Sequence, residues 1–130
     1  METTNVKAIK AIYEAFSKGD IPFILNQLNP NVSFEFEAPS IIPYSGVQHG
    51  VEQVAGFFEG IVDSETDMKL VMNQYVDNGN IVASFGRYTT TVKSSKKRIS
   101  TPVAHLWELE NGRISRFVNY SNSAARADAA

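Results

Sequence analysis

The stretch Thr101 to Asn122, TPVAHLWELENGRISRFVNYSN, decides the fold. Two apolar-rich segments flank Asn111-Gly112, a dipeptide that favours a tight β-hairpin because both residues tolerate a positive φ. Side chains alternate along an extended chain, so Val103, His105, Trp107 and Leu109 share one face of the first strand. If Asn111 and Gly112 form a two-residue type I′ turn, Glu110 pairs with Arg113 and His105 with Val118, and Asn119 falls on the opposite face. If Glu110, Asn111 and Gly112 form a three-residue loop with a bulge at Gly112, His105 pairs with Phe117 and shares its face with Asn119 and Ser121.

Working upstream, the turn signals Asp77-Asn78-Gly79 and Lys93 to Lys97 divide the preceding chain into further strands, giving a four-strand antiparallel meander. Before it, Val6, Ile9, Tyr13 and Phe16 follow helical spacing after the candidate caps Thr4 and Asn5, and Gly19 ends that helix. Asp20 caps a second, short helix with Pro22 in its first turn and Ile24, Leu25 and Leu28 facing inward, stopped by Asn29-Pro30-Asn31. Val32 to Glu37 alternates as a strand, with Val32, Phe34 and Phe36 on one face and Ser33, Glu35 and Glu37 on the other. Ala38 to His49 is a proline-containing but apolar loop, which suits the rim or lid of a cavity. Gly50 opens a third helix whose stripe is Val51, Val54, Ala55, Phe58, Ile61 and Val62, followed by a polar break at Asp63 to Asp67. Helices early and strands late predict an α+β domain, with three helices packed on a curved, mainly antiparallel sheet enclosing an apolar pocket. Residues 1–123 are expected to form one domain and residues 124–130 a frayed tail.

The 130-residue chain is long enough for one domain with a core. Its 8 Phe, 5 Tyr and 1 Trp suit a globular protein rather than a disordered one. A formal net charge of -2, with both signs intermixed, argues against a nucleic-acid surface. There are no cysteines, which excludes disulfides and thiol chemistry. The first residues lack an apolar export signal, and no run is long enough to span a membrane, so a cytoplasmic location is the default expectation. The 2 histidines, His49 and His105, lie far apart without ligand spacing, so neither a metal nor another cofactor is expected.

Three strings in this order, Ile12-Tyr13-Glu14-Ala15-Phe16-Ser17-Lys18-Gly19-Asp20, then Ile42-Pro43-Tyr44-Ser45-Gly46, then Thr101 to Asn122, resemble the nuclear-transport-factor-2-like superfold. Within it the chain resembles the SnoaL-like polyketide cyclases and the ketosteroid-isomerase-like proteins. The resemblance implies a cone-shaped domain with an apolar pocket, a small hydrophobic ligand, and a homodimer packed through the outer sheet face. It also favours the bulged turn, which aims the polar residues of the last strand into the pocket.

His105 falls where ketosteroid-isomerase-like proteins place the protonated acid of their oxyanion hole, and a neutral imidazole could donate a similar hydrogen bond. The competing role is a core histidine bonded within the protein. The first-strand aspartate of those isomerases corresponds to Phe36, so their proton abstraction lacks a base. Of the acid-base residues of the epoxide-hydrolase relatives, Arg87 matches, whereas Thr89 and Asn119 replace the aspartates. Neither replacement transfers a proton usefully near neutral pH. Ketosteroid isomerisation and epoxide opening are thus disfavoured. His105, Arg87 and Asn119 are the candidate catalytic or anchoring residues. Tyr13, Phe34, Phe36, Tyr44, Phe58, Phe85, Trp107 and Phe117 are the candidate ligand-binding walls. Two functions are open: carbonyl polarisation with proton transfer, of isomerase or lyase type, and a non-catalytic ligand-binding module.

Overall fold

The computed structural model describes residues 2–130. Helix α1 spans Thr4–Ser17, and its cap is Thr3, one residue before the expected pair: the Thr3 side chain accepts from the Val6 amide at 3.2 Å. Val6, Ile9, Ile12 and Ala15 form its buried stripe. Asp20 caps α2, Ile21–Asn26, as the sequence predicts, accepting from the Phe23 amide at 3.2 Å. Strand β1, Leu28–Phe36, starts before the Asn-Pro-Asn expected to separate it from α2. The apolar loop then leads to a short strand β2, Gly46–His49, and α3, Gly50–Ser64. Strands β3, Glu65–Asn78, β4, Ile81–Val92, β5, Arg98–Glu110, and β6, Arg113–Ser121, form the meander. The chain closes with α4, Ser123–Asp128.

The six strands lie in one sheet in the order β2-β1-β6-β5-β4-β3. All pairs are antiparallel except β1 with β6. The architecture is α+β, as the element order implies, with the core between the helices and the inner face of the curved sheet. Gly86 permits a close approach of β4 to β3: a Cβ there would lie 1.9 Å from the Val71 carbonyl oxygen, beside a bulge between Met72 and Gln74. No helix among the described residues is long and apolar enough to cross a membrane.

Three local expectations are corrected. The buried stripe of α3 is Val54, Phe57, Phe58 and Ile61, while Val62 is 47% exposed, because the helix presents the 3-4 spaced face that includes Phe57 to the core. The polar break at Asp63 to Asp67 is no loop, since α3 passes directly into β3 and buries Glu65. The tail is not frayed: α4 docks through Arg126 and Ala129, both buried.

The last hairpin follows neither register drawn from the sequence. Asn111 (φ 52) and Gly112 (φ 79) make a two-residue turn with Glu110 paired to Arg113, and the bulge sits instead at Ser115, between the pairs Leu109–Ile114 and Glu108–Arg116. The Ser115 hydroxyl donates to the Glu108 carbonyl at 3.1 Å, which satisfies a group the bulge would otherwise free. His105 therefore pairs directly with Asn119. The extra residue restores the face that the two-residue turn alone would have reversed.

Candidate functional site

The inner sheet face and the three long or short helices before β3 leave a cavity of about 100 Å³. Phe34 and Phe36 of β1, Phe57, Phe58 and Ile61 of α3, Tyr13 and Phe16 of α1, and Trp107 and Phe117 of the last hairpin make it strongly aromatic. Phe34 anchors this wall, with ring centroids 4.7 Å from Phe117 and 5.9 Å from Phe58. Tyr44 covers it from the apolar loop, edge-on to Phe36 at 5.2 Å. The volume is of the order of the ~150 Å³ apolar cavities that take up benzene, which fits a small organic molecule.

One wall is polar. His105 on β5 is 7% exposed, and its Nε2 lies 3.0 Å from Asn119 Oδ1. Because Asn119 presents its carbonyl oxygen, Nε2 carries the proton and Nδ1 is the acceptor. The Tyr13 hydroxyl then donates to Nδ1 across 2.7 Å and accepts from Trp107 Nε1 at 2.9 Å and from Ser84 at 2.6 Å. Three side chains from β4 and β5 thus close on one oxygen of α1. Burial pushes the His105 pKa down to about 4, against a smaller upward effect of the Asn119 hydrogen bond, so the ring is neutral at pH 7. Burial likewise pushes the Tyr13 hydroxyl far above its ordinary range, although the bonds with Ser84 and Trp107 work the other way.

Both ring nitrogens of His105 are committed within the protein. Asn119 donates one amide N–H to Ser121 at 2.7 Å and retains a second. The group with a spare donor on this wall is accordingly Asn119, held in place by His105. Among the described residues no Asp or Glu borders the cavity.

A second polar cluster was missed by the sequence reading. Glu65, the first residue of β3, has no exposed side-chain surface and accepts from Arg126 Nε at 2.7 Å, Tyr88 at 2.6 Å and Tyr44. Burial, then the neighbouring Glu65 charge, raises both tyrosines. For Arg126, burial lowers the pKa, but the Glu65 and Tyr44 contacts outweigh it and the guanidinium is raised overall. Tyr44, Tyr88 and Arg126 border the cavity. A lone Glu in an apparent polar linker and an Arg in a small-residue tail gave no periodic signal that could have found this pair.

Of the predicted residues, the structure brings His105, Asn119, Tyr13, Phe34, Phe36, Tyr44, Phe58, Trp107 and Phe117 to the cavity. Arg87 and Phe85 are not there. Both are exposed on the outer sheet face, because β4 turns Val82, Ser84 and Tyr88 inward, and Arg87 donates to Ser100 on β5 at 3.2 Å. The described residues contain no group of three His, Cys, Asp or Glu side chains arranged for a metal.

Comparison with known proteins places this geometry. A family model for the SnoaL-like domain matches residues 9–117. A search of curated proteins finds no match. Among solved structures, an NTF2-like protein of unknown function from Burkholderia pseudomallei K96243 superimposes with a TM-score of 0.91 at 23% identity, covering 98% of this chain and 97% of its own. TerC, co-crystallised with polyporic acid, gives 0.87 at 20% identity, over 97% of each chain. A protein provisionally assigned as a SnoaL-like polyketide cyclase, from Jannaschia sp. CCS1, gives 0.86 at 17% identity, over 98% and 92%. At these identities the superpositions show a shared fold. The match across most of its length and the shared architecture establish that this chain belongs to the SnoaL-like family and has the NTF2-like fold.

Proposed function

We propose that the chain binds a small, mostly hydrophobic molecule carrying a carbonyl or hydroxyl oxygen, and polarises that oxygen at the His105–Asn119 wall for an isomerase- or lyase-type proton transfer. The observation that carries this is the polar wall at His105 in a largely apolar, aromatic-rich cavity, where a buried neutral imidazole is bonded to Asn119 at 3.0 Å. The spare amide N–H of Asn119 donates to the ligand oxygen. When that oxygen replaces Asn119 Oδ1, the Nε2–H of His105 is aimed at it, and the Tyr13 hydroxyl, donating to Nδ1, holds the ring in the tautomer that keeps this proton on Nε2. The likeness to TerC, which was crystallised with an organic acid, and to a provisional polyketide cyclase supports an organic ligand.

A non-catalytic binding module is the second reading. It is favoured by a specific pair of facts: no carboxylate borders the cavity among the described residues, and both nitrogens of His105 are already bonded. Native mass spectrometry of freshly purified protein tests binding, with a co-purified molecule as the expected result. Turnover of a panel of small ketones, enones and polyketide fragments separates the two readings. His105→Ala should lose turnover while retaining binding; full activity in that variant ends the catalytic reading, and absence of turnover across the panel in the wild type favours the module.

A homodimer through the outer sheet face is also proposed. Its support is a cross-strand row of Tyr120, Ala104 and Phe85, with Val71 and Val76 nearby on β3. Tyr120, Phe85, Val71 and Val76 are exposed.

A further inference from the structure

We propose that the cavity has a second ligand-binding end, at Arg126, which takes an anionic oxygen such as a carboxylate or enolate, so that the ligand is a small apolar acid with a carbonyl or hydroxyl at its other end. This rests on the cavity being the ligand site. The Arg126 side chain is 7% exposed, and its Nε is bonded to Glu65. Its Nη1 is buried without any hydrogen-bond partner. A guanidinium has five N–H donors in a fixed planar fork, and an unmet buried donor on a cation is costly, so a partner for Nη1 is missing from the protein itself.

Among the described residues no second acid is paired with it: Asp63 lines the surface cleft that Arg126 also borders, but the ion pair of Arg126 is with Glu65. Glu65 already takes three donors on its two oxygens, and no other carboxylate borders the cavity among the described residues. Nε and Nη1 lie on different edges of the fork, so an oxygen at Nη1 stands off from Glu65, whose charge is further attenuated by the Tyr44 and Tyr88 hydroxyls. The two polar ends are well separated. Ser84, in the His105 cluster, and Tyr88, in the Glu65 cluster, are four residues apart on the inner face of β4, roughly 13 Å of strand. Arg126 also borders a surface cleft beside Lys93, so it stands between the interior and solvent.

The probes are 4-acetylbenzoate and its neutral counterpart 4-acetylbenzamide, titrated calorimetrically into the full chain and co-crystallised with it. The acid should bind about 10-fold or more tightly than the amide, as a charge-assisted bond requires. In the crystal its carboxylate should lie on Arg126 Nη1. Glu65→Gln with Arg126→Gln removes both buried charges together and should erase the preference, and Arg126→Lys should weaken it while retaining the ion pair. Equal binding of acid and amide overturns the anionic end and leaves the cavity reading standing. A preference that survives the double variant, or a carboxylate seated in the cleft beside Lys93, also overturns it. Failure of both probes to bind overturns this inference and counts against the cavity reading as well. Should the double variant not fold, the wild-type comparison and the crystal decide.

Discussion

The hydroxyl of Tyr13 lies 2.7 Å from Nδ1 of His105, joining the first helix to the middle of β5 across 92 residues of chain. The same oxygen serves Trp107 and Ser84, so one phenol satisfies three buried polar groups. Tyr13→Phe should destabilise the fold by about 2–3 kcal/mol, because each orphaned buried group costs its desolvation and the ring itself is kept. Urea unfolding with an unchanged m-value measures this. Stability equal to that of the wild type would show that the network is not formed.

Folding stability should fall as the solution is acidified from pH 6.5 towards 4. The His105 pKa is lowered from 6.5 to about 4 by burial, so in this window the unfolded chain takes up a proton that the native chain refuses. The unfolded state then binds more protons, and stability drops with falling pH by up to about 1.4 kcal/mol per unit, ~3 kcal/mol in all. Below pH 4 both states are protonated and this contribution is gone. The test is the difference between wild type and His105→Gln across the window. Parallel curves, or an imidazole seen by NMR to titrate near 6.5, would contradict the burial.

Removing one partner of the Glu65–Arg126 pair should be far worse than removing both. Arg126→Met leaves a fully buried carboxylate, and a loss of about 3–5 kcal/mol is expected. Glu65→Gln combined with Arg126→Met should recover much of it. Chemical denaturation of the two single variants and the double completes the cycle, and additive losses would mean the pair is not coupled.

Gly86→Ala should cost more than about 3 kcal/mol, since the added methyl meets backbone atoms of Val71 and Met72 that cannot rotate away. Thermal unfolding reports it directly. A fully stable variant would mean that β3 and β4 do not approach so closely.

Phe85→Lys should convert a dimer to a monomer without affecting the cavity, because Phe85 lies 39% exposed on the outer face. Light scattering on a sizing column reads the mass. A monomeric wild type, or a dimer indifferent to this change, would remove the outer-face proposal.

Local rules reached much of the molecule because they depend on near neighbours. Period-2 alternation around Phe34 and His105 assigned their face, and the Asp20 and Gly19 signals bounded the helices. The same rules failed at Ser115, since a bulge residue has no composition of its own and depends on the partner strand. They failed for Arg87 and Phe85 because β4 is apolar or small on both faces, which leaves alternation without a preferred side.

The sequence by itself determined the α+β class, the three helices before the four-strand meander and the aromatic nature of the interior, but not β2 or α4. Only the tertiary structure decided that Asn119 stands opposite His105, that Tyr13 occupies the imidazole's other nitrogen, and that Arg126 reaches back to Glu65. Those relationships join residues 14 to 92 positions apart, and they form because buried polar groups must find partners wherever folding brings them. Pairings of that kind are selected by geometry after collapse, not by the pattern of adjacent residues.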